Sequence, residues 1–386
     1  MKEVLLLAGT RPEAVKIAPV ALALADHPVL RPVIVHSGQH EGVVEQALGA
    51  FDLKPDVVLD TSRPTGTQAE LLSALVPALD RVLRVRDPAV VLVQGDTTTA
   101  LAGALAAFWR GVPVAHLEAG LRTGDLAGPF PEEGTRQMIS RIAALHLAPT
   151  DDAATALVGE ALPAAEIVVT GNTVVDAVRR VAAADLPVRD PALAALEADL
   201  DATGDRLVLV TVHRRESWGA PLERVLHAVR ALVDRHPDVR VLLPVHPNPV
   251  VRSTVREVLA GHARIVVGEP LDYPDLVRAL RRAALVLTDS GGLQEEAPTF
   301  GVPVLVLRSS TERVAAVDAG CAWLVGTDTT RILAEAGWVL GSRLRLPPGR
   351  NPFGDGRAAI RVRGALERLV GLPALFGSAL PVRIPL

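Results

Sequence analysis

The stretch VLLLAGTRPEAVK, residues 4–16, reads as a buried strand that turns at Gly9-Thr10 into a helix carrying Pro12 in its opening turn. A run of apolar residues without polar alternation suits a strand covered on both faces, as in a parallel sheet. The pattern recurs along the chain. Strands are expected at 4–8, 33–36, 90–94, 114–118, 145–148 and 167–169, and again at 207–212, 241–245, 265–267, 285–288, 304–307 and 323–325, with amphipathic helices between. Alternation of this kind builds parallel sheets flanked by helices on both faces. A chain of 386 residues is long for one core, and its pattern restarts halfway, so two domains with a cleft are expected.

Outward from that frame, the Ala/Asp/Pro-rich segment 182–205 reads as a linker or peripheral helix, and Asp199-Leu200-Asp201 within it as a solvated loop, because it follows no buried strand. A last helical pattern over 356–370 follows the Pro/Gly-rich segment 347–353, as if the chain crosses back to its first domain. Hydrophobic residues make up 49% of the chain and aromatics only 3%, so the core is built of Ala, Val and Leu. The formal charge of -4 and the absence of a long Lys/Arg run argue against nucleic acid or an anionic membrane as the main partner. Arg278, Arg281 and Arg282 read as a solvated helix face. The single cysteine, Cys321, rules out a disulfide framework and a Cys-based metal site, which fits a reducing cytoplasm. The apolar run 4–9 is too short for a signal-peptide core, and no stretch reaches the ~18 apolar residues of a membrane span.

In open parallel sheets ligands sit beyond the carboxyl ends of the strands, so the loops after the strands carry the functional reading. The first offers Arg11 and Lys16, in a chain whose lysines occur only at positions 2, 16 and 54. Asp96 follows the strand 90–94, where it suits the N-cap of the next helix. Glu118 ends the next strand, and Glu132 follows on a proline-rich loop. Three acids converging on one sheet edge are equipment for proton transfer, because carboxylates held close together acquire separated proton affinities. In the second half His213 follows a buried strand and precedes Arg214 and Arg215, which favours a nearby anion. The segment 288–296 ends a strand in Ser290-Gly291-Gly292 and begins a helix, a place where a diphosphate can approach free N–H groups. Two turns into that helix, Glu296 is positioned for sugar hydroxyls; segment 309–313 has a capping-box pattern and offers Arg313 to phosphate. No G-x-G-x-x-G follows the first strand, there is no G-K-[ST] and no H-E-x-x-H, and the ten histidines show no ligand spacing. Sugar-nucleotide chemistry without metal or nicotinamide survives this filter.

The motifs GTRPEAVKIAP (9–19), GDTTT (95–99), HLEAGLRTGD (116–125), PEE (131–133), GNTVVDA (171–177), HRRES (213–217), PVHPNP (244–249), TDSGGLQEEAP (288–298) and TER (311–313) span nearly the whole chain. In this order they resemble the non-hydrolysing UDP-N-acetylglucosamine 2-epimerases, which share the two-Rossmann-domain GT-B architecture. The resemblance implies an α/β fold of two Rossmann-like, doubly wound parallel-sheet domains with the active site in the interdomain cleft. It places the first domain at 1–170, joined by a C-terminal helix 356–386, and the nucleotide-binding domain at 171–355. It implies C2 epimerisation of a UDP-N-acetylhexosamine through UDP elimination, a 2-acetamidoglucal and re-addition, with no cofactor, in a homodimer. Asp96, Glu118, Glu132 and His213 would carry the chemistry. Arg11, Lys16, Ser290, Gly291, Gly292, Glu296 and Arg313 would hold the nucleotide, with Leu271 offering uracil its backbone. A regulatory UDP-GlcNAc site would use Gln39, His40, Arg214 and His246, although Gly42 and Thr67 stand where bacterial relatives carry Gln and Arg. Two rivals share much of this pattern: a GT-B glycosyltransferase, which needs one base and an acceptor site, and a sensor that binds without turnover. A hydrolysing epimerase would differ in releasing free N-acetylmannosamine.

Overall fold

A computed structural model describes the chain except residues 41, 62, 64, 163–164, 215–216, 348–350 and 373–386. The apolar tail beyond Leu372, the end of the helix expected at 356–386, and Arg215 therefore lie outside the described residues. The chain divides into two compact units: Met1–Ala177 together with the segment from Phe353, and Val178–Pro352.

The first unit begins with β1 (Lys2–Ala8), α1 (Arg11–Ala25), β2 (Leu30–His36), α2 (Val43–Gly49), β3 (Val57–Val58) and α3 (Gln68–Arg86). It continues with β4 (Val90–Gln94), α4 (Thr98–Trp109), β5 (Val114–Leu117), α5 (Glu132–Ile142), β6 (Leu145–Ala148), α6 (Asp151–Gly159), β7 (Glu166–Val169) and the first residues of α7 (Thr173–Ala184). The seven strands are all parallel, in the order β3-β2-β1-β4-β5-β6-β7. Direction of winding reverses between β1 and β4, which makes the loops after these two strands the walls of a topological switch point. Alternate residues of the central strands face opposite helical layers: Leu5, Leu7, Val91 and Val93 pack with α3 and α4 in one apolar core. The two-residue β3 is the strand that the sequence reading missed; so short an edge strand has no periodicity to detect.

The second unit contains α8 (Pro191–Thr203), β8 (Arg206–Thr211), α9 (Ala220–Arg235), β9 (Val239–Pro244), α10 (Pro249–Leu259), β10 (Ile265–Gly268), α11 (Tyr273–Arg282) and β11 (Ala283–Thr288). It closes with α12 (Gly291–Glu296), β12 (Val304–Val306), α13 (Val314–Asp318), β13 (Ala322–Leu324) and α14 (Thr329–Ser342); α15 (Ala358–Leu369) then belongs to the first unit. Six parallel strands run β10-β9-β8-β11-β12-β13, with the switch point between β8 and β11. Val208, Val210, Val241 and Leu243 bury one face of this sheet against α9, α10 and α14.

One sequence expectation is narrowed and one corrected in this unit. Of the two readings of segment 182–205 the helix holds and the linker does not: it contains the end of α7 and the whole of α8. Asp199-Leu200-Asp201 lies in α8 rather than a loop, with Asp199 paired to Arg240 at 3.0 Å and Asp201 to Arg282 at 2.6 Å. Both side chains remain largely exposed, so they are solvated as expected, on a helix rather than a loop. Among the described residues no cluster of His, Cys, Asp and Glu could hold a metal ion, and no helix is long and apolar enough to cross a membrane.

Candidate functional site

Two clusters of candidate side chains stand at the two switch points. In the first unit, Gly9 follows β1 with no room for a side chain: a Cβ there would collide with the hydroxyls of Thr99 and Ser37. Thr10 caps α1, Arg11 opens the helix, and Lys16 lies one turn further on, buried. The Lys16 ammonium donates to Glu118 Oε2 at 2.6 Å, and Gln94, the last residue of β4, donates to the same oxygen. Glu118 is itself buried and has a φ of 65°, in the left-handed region that a non-glycine residue enters at a cost of about 1 kcal/mol or more. Strain of this kind persists where the surrounding structure demands one orientation of a side chain, here a carboxylate held between an ammonium and an amide.

Asp96 does not cap α4 as its position suggested. Thr97 does so, its side chain accepting from the Ala100 N–H, and Asp96 instead accepts from Arg136 Nε at 2.8 Å. The adjacent acids Glu132 and Glu133 have sharply different surroundings although both belong to the first turn of α5. Glu133 is fully buried and accepts from the Thr123 N–H, Arg136 and Gln137. Burial raises its proton affinity, but these donors outweigh it and hold the carboxyl below its ordinary range. Glu132 has a buried Oε2 with no hydrogen-bond partner, an acceptor left to be satisfied by a ligand or water. The sequence-predicted acids thus occupy the carboxyl edge of the first sheet in three states: Glu118 charge-paired, Asp96 held by a guanidinium, and Glu132 open at one oxygen.

Glu13 went unnoticed in the sequence because an acid in the first turn of a helix is ordinary. It is buried, accepting from the Gly9 N–H at 3.0 Å, from Thr10 at 2.8 Å and from Thr97 at 2.6 Å, so it ties the loop after β1 to the loop after β4. Burial outweighs these bonds and pushes its carboxyl up to about 7. Gln39 accepts from Thr99 at 3.0 Å and approaches His40 at 3.3 Å; burial, then Arg63, push His40 down. Gly42 and Thr67 cap α2 and α3.

The second unit's cluster is built on Asp289, fully buried one residue past β11. It accepts from the backbone N–H groups of His213 and Arg214 and from the Ser217 hydroxyl, and lies 3.1 Å from His213 Nδ1. Arg214 Nε also donates to the Asp289 carbonyl. His246 accepts from the Asn248 N–H and packs beside Trp218, with ring centroids 6.0 Å apart. Ser290 occupies the N-cap of α12. A Cβ on Gly291 would lie 2.7 Å from Arg313 Cζ, so this glycine makes room for a guanidinium. Arg313 in turn pairs with Glu295 at 2.9 Å and with Glu312. Burial raises the Glu312 carboxyl, but Arg313, Arg308 and Arg214 more than reverse it and hold it well below the usual range.

Glu296 is the last residue of α12, which is only six residues long, so it does not lie two turns into a helix. It is buried and accepts from Tyr273 at 3.3 Å. The expected capping box at 309–313 does not form: α13 starts at Val314, and Thr311 donates instead to Gln294 at 2.7 Å. Leu271 is buried, which leaves its backbone as its polar part. Gln94, Arg136, Glu13, Asp289 and Tyr273 are the additions that the structure makes to the sequence-predicted set. Strand-end position was a readable signal for Gln94 and Asp289; for Arg136, on a helix face, there was none.

A family model described as UDP-N-acetylglucosamine 2-epimerase matches residues 22–367. The UDP-N-acetylglucosamine 2-epimerase of Yersinia pestis is 42% identical over 370 residues, spanning 95% of this chain and 98% of that one. The S. aureus MnaA-UDP co-structure aligns with a TM-score of 0.88 at 37% identity, covering 98% of this chain and 100% of that one. The Neisseria meningitidis UDP-GlcNAc 2-epimerase bound to UDP-GlcNAc gives a TM-score of 0.87 at 35% identity, over 95% of this chain and 100% of that one.

Proposed function

The chain belongs to the UDP-N-acetylglucosamine 2-epimerase family, and from that premise we propose that it interconverts UDP-N-acetylglucosamine and UDP-N-acetylmannosamine by a non-hydrolysing route. C2 of the sugar is not next to a carbonyl, so its proton becomes removable only as the bond from C1 to the diphosphate breaks. A base takes the C2 proton, UDP leaves with the bonding pair, and a C1=C2 double bond forms. Delivery of a proton to the opposite face of C2, with return of the UDP oxygen to C1, completes the inversion and leaves atoms and charge balanced.

Two faces require two acid/base groups. The observation that carries this reading is the unequal set of acids at the first sheet's edge: Glu118 paired with the Lys16 ammonium at 2.6 Å, and Glu132 with a buried oxygen that takes no hydrogen bond from the protein. Asp96, Glu118 and Glu132 are assigned the proton transfers. His213, with Arg11, Lys16 and Arg313, is assigned to the developing charge on the diphosphate. Ser290, Gly291 and Gly292 receive the phosphates, Glu296 the ribose hydroxyls, and the Leu271 backbone the uracil. The same reading makes Gln39, His40, Arg214 and His246 candidate contacts for a regulatory UDP-GlcNAc, and has the enzyme working as a cytoplasmic homodimer.

The test is a proton NMR time course of purified protein with UDP-GlcNAc in deuterated water, without added metal or nicotinamide. UDP-ManNAc carrying deuterium at C2 is the expected product. Free ManNAc with UDP would move the assignment to a hydrolysing epimerase, and no turnover would revive the transferase or the sensor.

A further inference from the structure

We propose that Asp289 and His213 form a dyad in which Asp289 is a positioning residue: it holds the imidazole with its proton on Nδ1, making Nε2 the nitrogen through which His213 meets the substrate. The proposal deepens the reading of His213 as a group that acts on the diphosphate, and rests on it.

The argument begins with the sheet. β8 and β11 are neighbours across the switch point, with Thr211 paired to Thr288 and their hydroxyls 2.6 Å apart. The next residues on each strand therefore emerge side by side, and Asp289 faces the loop that begins at Val212. That loop turns its donors inward. Backbone N–H groups of His213 and Arg214 lie 3.1 Å and 3.0 Å from Asp289 oxygens, and the Ser217 hydroxyl 2.9 Å. Two of these are amides, which can only donate. Both Asp289 oxygens are thereby engaged as acceptors. The fourth neighbour, His213 Nδ1 at 3.1 Å from Oδ1, must then be the donor.

The imidazole is thus oriented from behind by a fully buried anion while its own side chain remains 46% exposed. Such a partner fixes both ring direction and tautomer and stabilises positive charge on the ring as negative charge gathers on a leaving group. A purely structural account would make Asp289 a clamp for the loop after β8, with the histidine tautomer incidental.

The two accounts separate in nitrogen NMR of the full chain labelled with 15N-histidine, the His213 signal being assigned by its loss in H213Q. The expected spectrum has Nδ1 protonated in the wild type. In D289N the amide oxygen can still take the loop N–H groups, but the amide NH2 opposes a proton on Nδ1, so the ring is expected to shift to the Nε2-protonated tautomer. Turnover of UDP-GlcNAc should fall by about 10–1000-fold in kcat with KM changed less than about threefold, as loss of the correct tautomer does elsewhere. A wild type whose Nδ1 carries no proton, or D289N that loses activity while Nδ1 stays protonated, would overturn the dyad; the wild-type spectrum decides even if D289N does not fold. Full activity in H213Q would remove the reading of His213 on which the proposal rests, whatever the tautomer.

Discussion

At Glu13, burial prevails over hydrogen bonds from Gly9, Thr10 and Thr97, and the carboxyl, pushed up to about 7, gives up its proton reluctantly. Because the folded chain binds this proton more tightly than the unfolded one, the contribution is fully present below pH 4.5 and is lost as pH rises to 7. The difference amounts to about 3 kcal/mol. E13Q removes the titration while keeping an oxygen for the Gly9 N–H. Its stability relative to wild type, read from urea midpoints at pH 5 and pH 8, is expected to improve by that order at the higher pH; an unchanged difference would show that Glu13 titrates normally. His116 and His146 act in the opposite sense. Burial pushes them down to about 4 and about 3, so the fold holds them neutral, and the stability they permit is lost as pH falls below 6.5. At Gly291 the prediction concerns binding. A Cβ 2.7 Å from Arg313 Cζ must displace a guanidinium engaged by Glu295 and Glu312, so G291A should fold but bind UDP about tenfold more weakly by calorimetry. Undiminished affinity would detach Arg313 from the phosphate.

Among the elements, α15 shows how a helix far along the chain is started by a residue from elsewhere. Its N-cap residue, Arg357, makes no side-chain capping bond. Asp176, on α7, supplies the acceptors instead, taking the N–H groups of Ala358 at 3.1 Å and Ala359 at 2.9 Å. GNTVVDA stood out in the sequence as a motif, but its Asp176 had no legible task, since capping across 182 positions leaves no local trace. D176A is expected to lower stability by about 1–2 kcal/mol in chemical unfolding, with D176N recovering part of the loss. Equal stability of wild type and D176A would show that water serves the helix end as well. The strands, by contrast, were mostly legible. Unbroken Val/Leu runs bounded by glycine and polar residues marked all but β3, and boundaries moved by one to three residues where the last ladder bond depends on a neighbour.

On the scale of the whole molecule, Val178–Pro352 is a continuous stretch that contains its own sheet and core, whereas the first unit is completed only by the segment from Phe353. There α15 packs on α1, Glu367 lies 3.0 Å from the buried His27, and Arg368 pairs with Glu166 at 3.1 Å. Residues 178–352 expressed alone are therefore expected to unfold cooperatively in thermal circular dichroism, and residues 1–177 alone are expected not to. A cooperative transition in the 1–177 fragment would show that α15 is dispensable to the first core. By itself the sequence determined the fold class, the sequence positions of every strand but β3 and the family, because periodicity, turn residues and motif order are local properties written along the chain. It also put Asp96, Glu118, Glu132, His213 and Ser290 into strand-end loops or the helix turns just beyond them, since in a parallel sheet those positions follow from the strands. Which acid is paired, which is open, and which is made nearly neutral was decided by tertiary structure alone. Proton affinity and hydrogen bonding depend on what surrounds a carboxyl in space: Lys16 beside Glu118, Asp289 beside His213, and a closed shell of protein around Glu13.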